Sequence, residues 1–292
     1  MLLSQNRNPW GIFCYYLCVS GTVMFLRHPI LTALSLAGAL ALTFARRLPG
    51  RGRLLWQSAI LFAVVALLNP LIYHNGATVL FVLNDNPVTW EALAYGLVAA
   101  GMIVSVLFWM RAFAQIMSGD KVMYLLGALS PKLALLLSMT LRYIPLLRAQ
   151  THKTNQVQRA MGLYREDTIP GALRGQARVF SVMASWALEN GITTADSMEA
   201  RGYGSGRRTS FSLYRFRPGD VVGIATVVGL FALVMAGAWQ GALRFDYYPG
   251  MQSPDTSPWA VVAYVSYGIL AFLPSLLQFA EDWKWKCLKS KI

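Results

Sequence analysis

The sequence is poor in charge: 13% of its 292 residues are Asp, Glu, Lys or Arg, where an ordinary soluble domain carries about 25%. It is poorer still in the residues that build catalytic or metal sites. Three histidines (His28, His74 and His152) and three cysteines (Cys14, Cys18 and Cys287) are scattered without ligand spacing, so neither a metal cluster nor a disulfide framework is expected. Cys14 and Cys18, four apart in an apolar stretch, read as small residues facing lipid or a neighbouring helix. No phosphate-cradling Gly-rich loop ending in Lys-Ser or Lys-Thr is present. The glycines from Gly202 to Gly206 lack that spacing, so no nucleotide site is expected on this chain. Of the thirteen carboxylates, none falls at the centre of an apolar run, which argues against an ion-driven pump. An intramembrane enzyme would need a buried nucleophile with its base or a His/Asp metal pair, and the apolar runs supply neither. No small-residue cleavage site follows the first apolar run, so no removable leader is predicted.

What is abundant is apolar surface, gathered in blocks. Hydrophobic residues make up 55% of the chain and the mean hydropathy is +0.44. Six stretches are long enough, or nearly so, to cross a hydrocarbon layer of about 30 Å: residues 10–26, 29–46, 53–73, 90–114, 219–241 and 258–280. The first two are the shortest and are parted only by Arg27-His28-Pro29, a turn with a helix breaker in it, so they form either two spans or a hairpin that does not fully cross. The reading is an all-α integral membrane protein with about six transmembrane helices plus two long cytoplasmic helices. Residues 1–114 form the N-terminal spans, 115–218 the cytoplasmic segment, and 219–292 the C-terminal spans with a basic tail.

The net charge of +13 points to nucleic acid or to anionic lipid and insertion topology, and the spans exclude a soluble nucleic-acid binder. Placing both termini in the cytoplasm puts nearly every Lys and Arg inside and leaves only Arg27 and Arg244 outside. The loops then left outside, 70–89 and 245–258, are rich in Pro, Gly, Asn and Asp, with Trp90, Tyr247, Tyr248 and Trp259 at interface depth.

The segment 115–218 contains one further apolar run, residues 133–147. It is short for a span, and Arg142 and Pro145 make it costly in lipid. It reads as a helix along or beneath the membrane, kinked about one turn before Pro145 and continuing through a polar stretch to a closing glycine, Gly162. A turn at 164–171 leads to a second helix, whose Val179, Val182, Met183, Trp186, Ala187 and Leu188 are spaced to make one apolar face and which Gly202 caps. Taken singly, an arginine at a helix end is dipole complementation worth about 0.3–1 kcal/mol. Two such ends on consecutive long helices point to contacts with a partner.

Met198-Glu199-Ala200-Arg201-Gly202-Tyr203-Gly204, followed by Arg207, Arg208 and Thr209, resembles the second Ala-Arg-Gly signature of the T components of energy-coupling factor transporters. Leu141-Arg142-Tyr143-Ile144-Pro145, Asn69-Pro70-Leu71 with His74-Asn75-Gly76, and Val88-Thr89-Trp90-Glu91-Ala92-Leu93 with Tyr95-Gly96 resemble other stretches of that family, in the expected order. The resemblance implies a non-catalytic coupling subunit. Two ABC ATPase subunits would bind it, carrying ATP and Mg themselves, and a small membrane subunit would capture a vitamin or metal ion. It further implies that two coupling helices cross and that each ends in a docking motif for one ATPase.

Carried across, Arg201 is the docking arginine of the second motif, between Ala200 and Gly202, with Arg142 and Pro145 at the coupling-helix hinge. The first motif departs from the pattern: its string is Ala160-Met161-Gly162. Either the register is shifted so that Arg159, about 200° round the helix from Met161, makes the contact, or Met161 packs into an apolar pocket. The alternative function is the permease subunit of an ordinary ABC importer, which would itself form the substrate path.

Overall fold

The computed structural model describes residues 8–46, 50–72, 78–83, 86–162, 169–206, 214, 216–248 and 250–289. Among these the chain forms α1 (Pro9–Phe25), α2 (Pro29–Ala45), α3 (Arg51–Ile72), a ribbon of β1 (Val79–Leu83) and β2 (Asn86–Thr89), then α4 (Trp90–Ile116), α5 (Gly119–Leu129), α6 (Pro131–Ala160), α7 (Ile169–Ala200), α8 (Pro218–Trp239) and α9 (Pro258–Lys289). Five helices begin on a proline, where the missing N–H would have had no partner and the fixed φ suits the first turn. Where side chains cap, they do so locally. Asn8 accepts from the Trp10 N–H at 3.1 Å, Thr89 from Ala92 at 3.3 Å, and the Asp220 carboxylate from Arg217 at 3.2 Å.

The chain divides into two compact units, residues 1–118 with 214–292, and residues 119–213. In the first unit α3, α4, α8 and the Pro258–Ala280 part of α9 are long and apolar enough to cross a membrane. The shorter apolar helices α1 and α2, 17 residues each, reach about 26 Å at 1.5 Å per residue. Their packing is α2 against α4 and α9, α1 against α4 and α8, α3 against α4, and α8 against α9. Trp109 is fully buried in this core, with Tyr15 and Tyr16 edge-on to its ring, and its indole N–H donates to Ser35 Oγ at 3.0 Å. Gly38 lets α2 reach α9: a Cβ there would lie 2.8 Å from the Ala271 carbonyl oxygen.

Two features depart from the sequence reading of this unit. The connection after α3 carries a short antiparallel ribbon pairing Val79 with Thr89 and Leu83 with Asn86. Its apolar run is too short for a span and suits an extended pair. Helix α9 continues past residue 280 to Lys289, beyond the apolar stretch that marked its end in sequence. Arg7, Arg47 and Lys291, counted in the charge argument, lie outside the described residues.

In the second unit α5 packs on α6, and α6 on α7. Helix α5 was not anticipated, since its eleven residues begin within the polar Ser118-Gly119-Asp120-Lys121 stretch and end just before Pro131. Helix α6 runs unbroken through Pro145, and among the described residues neither α6 nor α7 is apolar enough to count with the spans. The apolar face expected on α7 forms only in part. Val179 and Met183 are buried, whereas Val182 and Leu188 are exposed at 45% and 70%. The buried residues recur four apart, as α-helical pitch requires, and Val182 and Leu188 fall on other faces. The turn predicted at 164–171 lies mostly outside the described residues.

Candidate functional site

The two long helices of the second unit end in closely similar ways. At the end of α7 the backbone of Gly202 has φ +79°. Its N–H donates to the Glu199 carbonyl at 2.8 Å, and the Tyr203 N–H donates to the Met198 carbonyl at 3.0 Å. These paired bonds are the glycine-closed helix end in which the residue after the cap turns left-handed. Only glycine enters that region without steric cost. At the end of α6, Gly162 has φ +67° and its N–H donates to the Arg159 carbonyl at 3.0 Å.

Overlaying the two ends residue for residue sets Ala200 on Ala160, Arg201 on Met161 and Gly202 on Gly162. Arg201 and Met161 are the cap residues, each the last before the left-handed glycine. Arg159 stands two places earlier, inside the helix. Met161 is 67% exposed, and Arg159, Ala160 and Gly162 are exposed as well. Arg201 is exposed, and among the described residues its guanidinium has no hydrogen-bond or ionic partner. An arginine held at a rigid corner with its five donors unused is a planar fork ready for carboxylates or carbonyl oxygens.

Three contacts set the direction of the helix pair. The Tyr143 hydroxyl lies 2.6 Å from Thr194 Oγ1 and donates to the Asn190 carbonyl at 3.4 Å. Eleven residues further along α6, Thr154 Oγ1 lies 3.9 Å from the Met183 sulfur, eleven residues back along α7. The helices therefore pack antiparallel, and the two capped ends point away from each other. Each cap stands roughly 12 residues, or about 19 Å, beyond the middle of the contact. Tyr143 is the shared residue of Arg142-Tyr143-Ile144-Pro145 that joins the helices. Arg142 and Pro145, expected at a hinge, are exposed on α6 beside it.

The remaining motifs meet elsewhere, in the first unit. Asn69 Nδ2 donates to the Ala92 carbonyl at 3.1 Å, and a Cβ on Gly96 would sit 2.8 Å from the Ala66 carbonyl oxygen. The Glu91 carboxylate, buried, accepts from Thr78 Oγ1 at 2.8 Å and from the Thr78 N–H at 3.3 Å. Arg27 donates to the Tyr95 hydroxyl at 3.2 Å, and Tyr247 donates to the Arg27 carbonyl at 3.0 Å. Asn69 and Gly96 fasten α3 to α4, and Arg27 ties Tyr95 and Tyr247 to the turn before α2. His74, Asn75 and Gly76, and Arg207, Arg208 and Thr209 of the second signature, lie outside the described residues.

Sequence reasoning passed over His28. Its ring is fully buried, with Nε2 3.0 Å from the Tyr264 hydroxyl and Phe245 edge-on at 5.5 Å. Both neighbours are remote in sequence, and only the fold assembles them. Among the described residues no cluster of His, Cys, Asp and Glu has the makings of a metal site.

A family model described as "CbiQ: Cobalt transport protein" matches residues 5–211. The chain belongs to the CbiQ family. It is also similar to the "Energy-coupling factor transporter transmembrane protein EcfT 1" of Listeria monocytogenes, 31% identical over 102 residues, which is 34% of this chain and 38% of that one. A second similar protein is the "Energy-coupling factor transporter transmembrane protein EcfT" of Lacticaseibacillus paracasei, 34% identical over 113 residues, 36% of this chain and 42% of that one. The chain thus spans about two-fifths of the length of these curated relatives. As a CbiQ-family chain with several apolar helices it is a multi-pass membrane protein. The matched region takes in both capped helix ends and stops before α8.

Proposed function

We propose that this chain is the membrane coupling subunit of an energy-coupling factor importer, lying in the bacterial or archaeal cytoplasmic membrane with both termini in the cytoplasm. Helices α1 to α4, α8 and α9 are read as six spans, with the short α1 and α2 crossing a locally thinned bilayer. Two partner ATPases dock on the outward-pointing caps of α6 and α7 and hydrolyse ATP. A small capture subunit in the same membrane binds the vitamin or metal ion and is reoriented as the helix pair moves. The chain itself binds no nucleotide and catalyses nothing.

The observation that carries this reading is Arg201, unpartnered at a glycine-fixed corner of a 32-residue helix. Such a corner transmits a push along a rigid rod, and a buried arginine contact is worth a few kcal/mol when truncated. The test is the composition and coupling of the complex purified through a tag on this chain. Two ATPase chains and one small membrane protein are expected. Arg201→Ala is expected to lose an ATPase, or to hydrolyse ATP with uptake largely abolished. Normal uptake by Arg201→Ala would defeat the proposal. A complex with ATPases but no fourth, small membrane protein would favour an ordinary ABC permease instead.

A further inference from the structure

The two capped ends have the same backbone and opposite chemistry. Around Met161 the exposed neighbours are apolar and cationic. Val157, one turn earlier, is 57% exposed, and Lys153 on α6 is joined by Arg174 and Arg178 on the antiparallel stretch of α7. Neither helix carries a carboxylate over residues 148–162 or 169–188. The connection 163–168, outside the described residues, holds Arg165, Glu166 and Asp167. Around Arg201 the helix itself is acidic, for Asp196 and Glu199 lie within the last two turns of α7, while Arg207 and Arg208, outside the described residues, follow it.

A groove built for a guanidinium would offer Met161 unmatched acceptors, and an apolar recess would strand Arg201 without partners. Three cations on stretches without a carboxylate favour a facing acidic surface, whereas Glu199 and Asp196 repel one. We infer that the Met161 end binds an ATPase surface consisting of an apolar recess with a carboxylate rim, unlike the acceptor-lined groove that takes Arg201. This rests on the docking reading above and adds the chemistry of the first contact, which Met161 makes by packing while the surrounding cations steer and hold the rim.

The test uses the full chain purified with its native ATPases, counting ATPase copies per chain by native mass spectrometry over a salt series. Met161→Arg is expected to weaken one of the two ATPases by roughly tenfold, since it drives a charge into an apolar recess. Arg174→Glu with Arg178→Glu should lose that same copy, and rising salt should release it first, because exposed charges are screened within about 10 Å at 0.1 M. Retention of the other copy shows that the helix pair is folded, and combining Met161→Arg with Arg201→Ala should remove both. Binding unchanged or tightened by Met161→Arg would overturn the inference, as would indifference to the Arg174/Arg178 reversal. If Arg201→Ala also leaves both copies in place, the docking reading itself fails; if Arg201→Ala costs one copy, only the inference about Met161 does.

Discussion

Gly202 and Arg201 divide the labour at one corner: the glycine makes the corner, and in the docking proposed above the arginine uses it. At φ +79° any side chain with a Cβ is strained by about 1–2 kcal/mol, so Gly202→Ala should fray the last turn of α7 and blunt Arg201. Partial loss of ATPase binding is expected, smaller than for Arg201→Ala, with little change in thermal stability of the spanning unit. Full binding by Gly202→Ala would show that the corner need not be rigid. Arg201→Lys keeps the charge but replaces the fork with a point donor, so it should fall nearer to alanine than to the parent. His28 gives a residue-level test of a different kind. Burial lowers its pKa from the ordinary value, so the folded state favours the neutral ring. The stability this supplies is complete above about pH 6.5 and is lost progressively as pH falls below that, because the unfolded chain takes up the proton first. Thermal melting in detergent should decline on acidification through this range, and His28→Gln, which still offers Tyr264 a hydrogen bond, should flatten the decline.

At the scale of elements, the close approaches decide what the helices tolerate. A Cβ on Gly38 would meet the Ala271 carbonyl at 2.8 Å, backbone that cannot swing aside. Gly38→Val should therefore push α2 from α9 and cost about 1–3 kcal/mol, lowering the melting temperature while leaving ATP turnover per folded complex intact. Gly229, with open space around it, is the control, and equal damage from Gly229→Val would contradict this packing. Most elements were legible because apolar runs mark spans and prolines mark helix starts: each of the six apolar stretches became a helix within a few residues of its sequence bounds, apart from the longer tail of α9. Helix α5 and the β1–β2 ribbon were not legible. Each is short, and neither is long enough for its periodicity to stand out from its surroundings. The face of α7 was misjudged at Val182 and Leu188 because an apolar residue on a long amphipathic helix does not announce which neighbour it will find.

At the scale of the whole molecule, the candidate site was legible as a string and incomplete as geometry. The Ala-Arg-Gly signature identified Arg201, and the glycine pattern located both ends. That Met161 holds the position of Arg201, and not Arg159, required the left-handed turn at Gly162 to fix the register. The distribution of Lys and Arg predicts sidedness for the entire chain. In a background lacking Cys14, Cys18 and Cys287, Gln252→Cys should react with a membrane-impermeant maleimide on intact cells, and Ser205→Cys only after permeabilisation. The reverse pattern would invert the topology. The most direct measurement places a photocrosslinking residue at position 201 of the chain in intact cells and identifies what it captures. The account predicts an ABC ATPase, captured at 201 and not from a control position at Met251; capture of lipid alone, or of no ATPase, would contradict it.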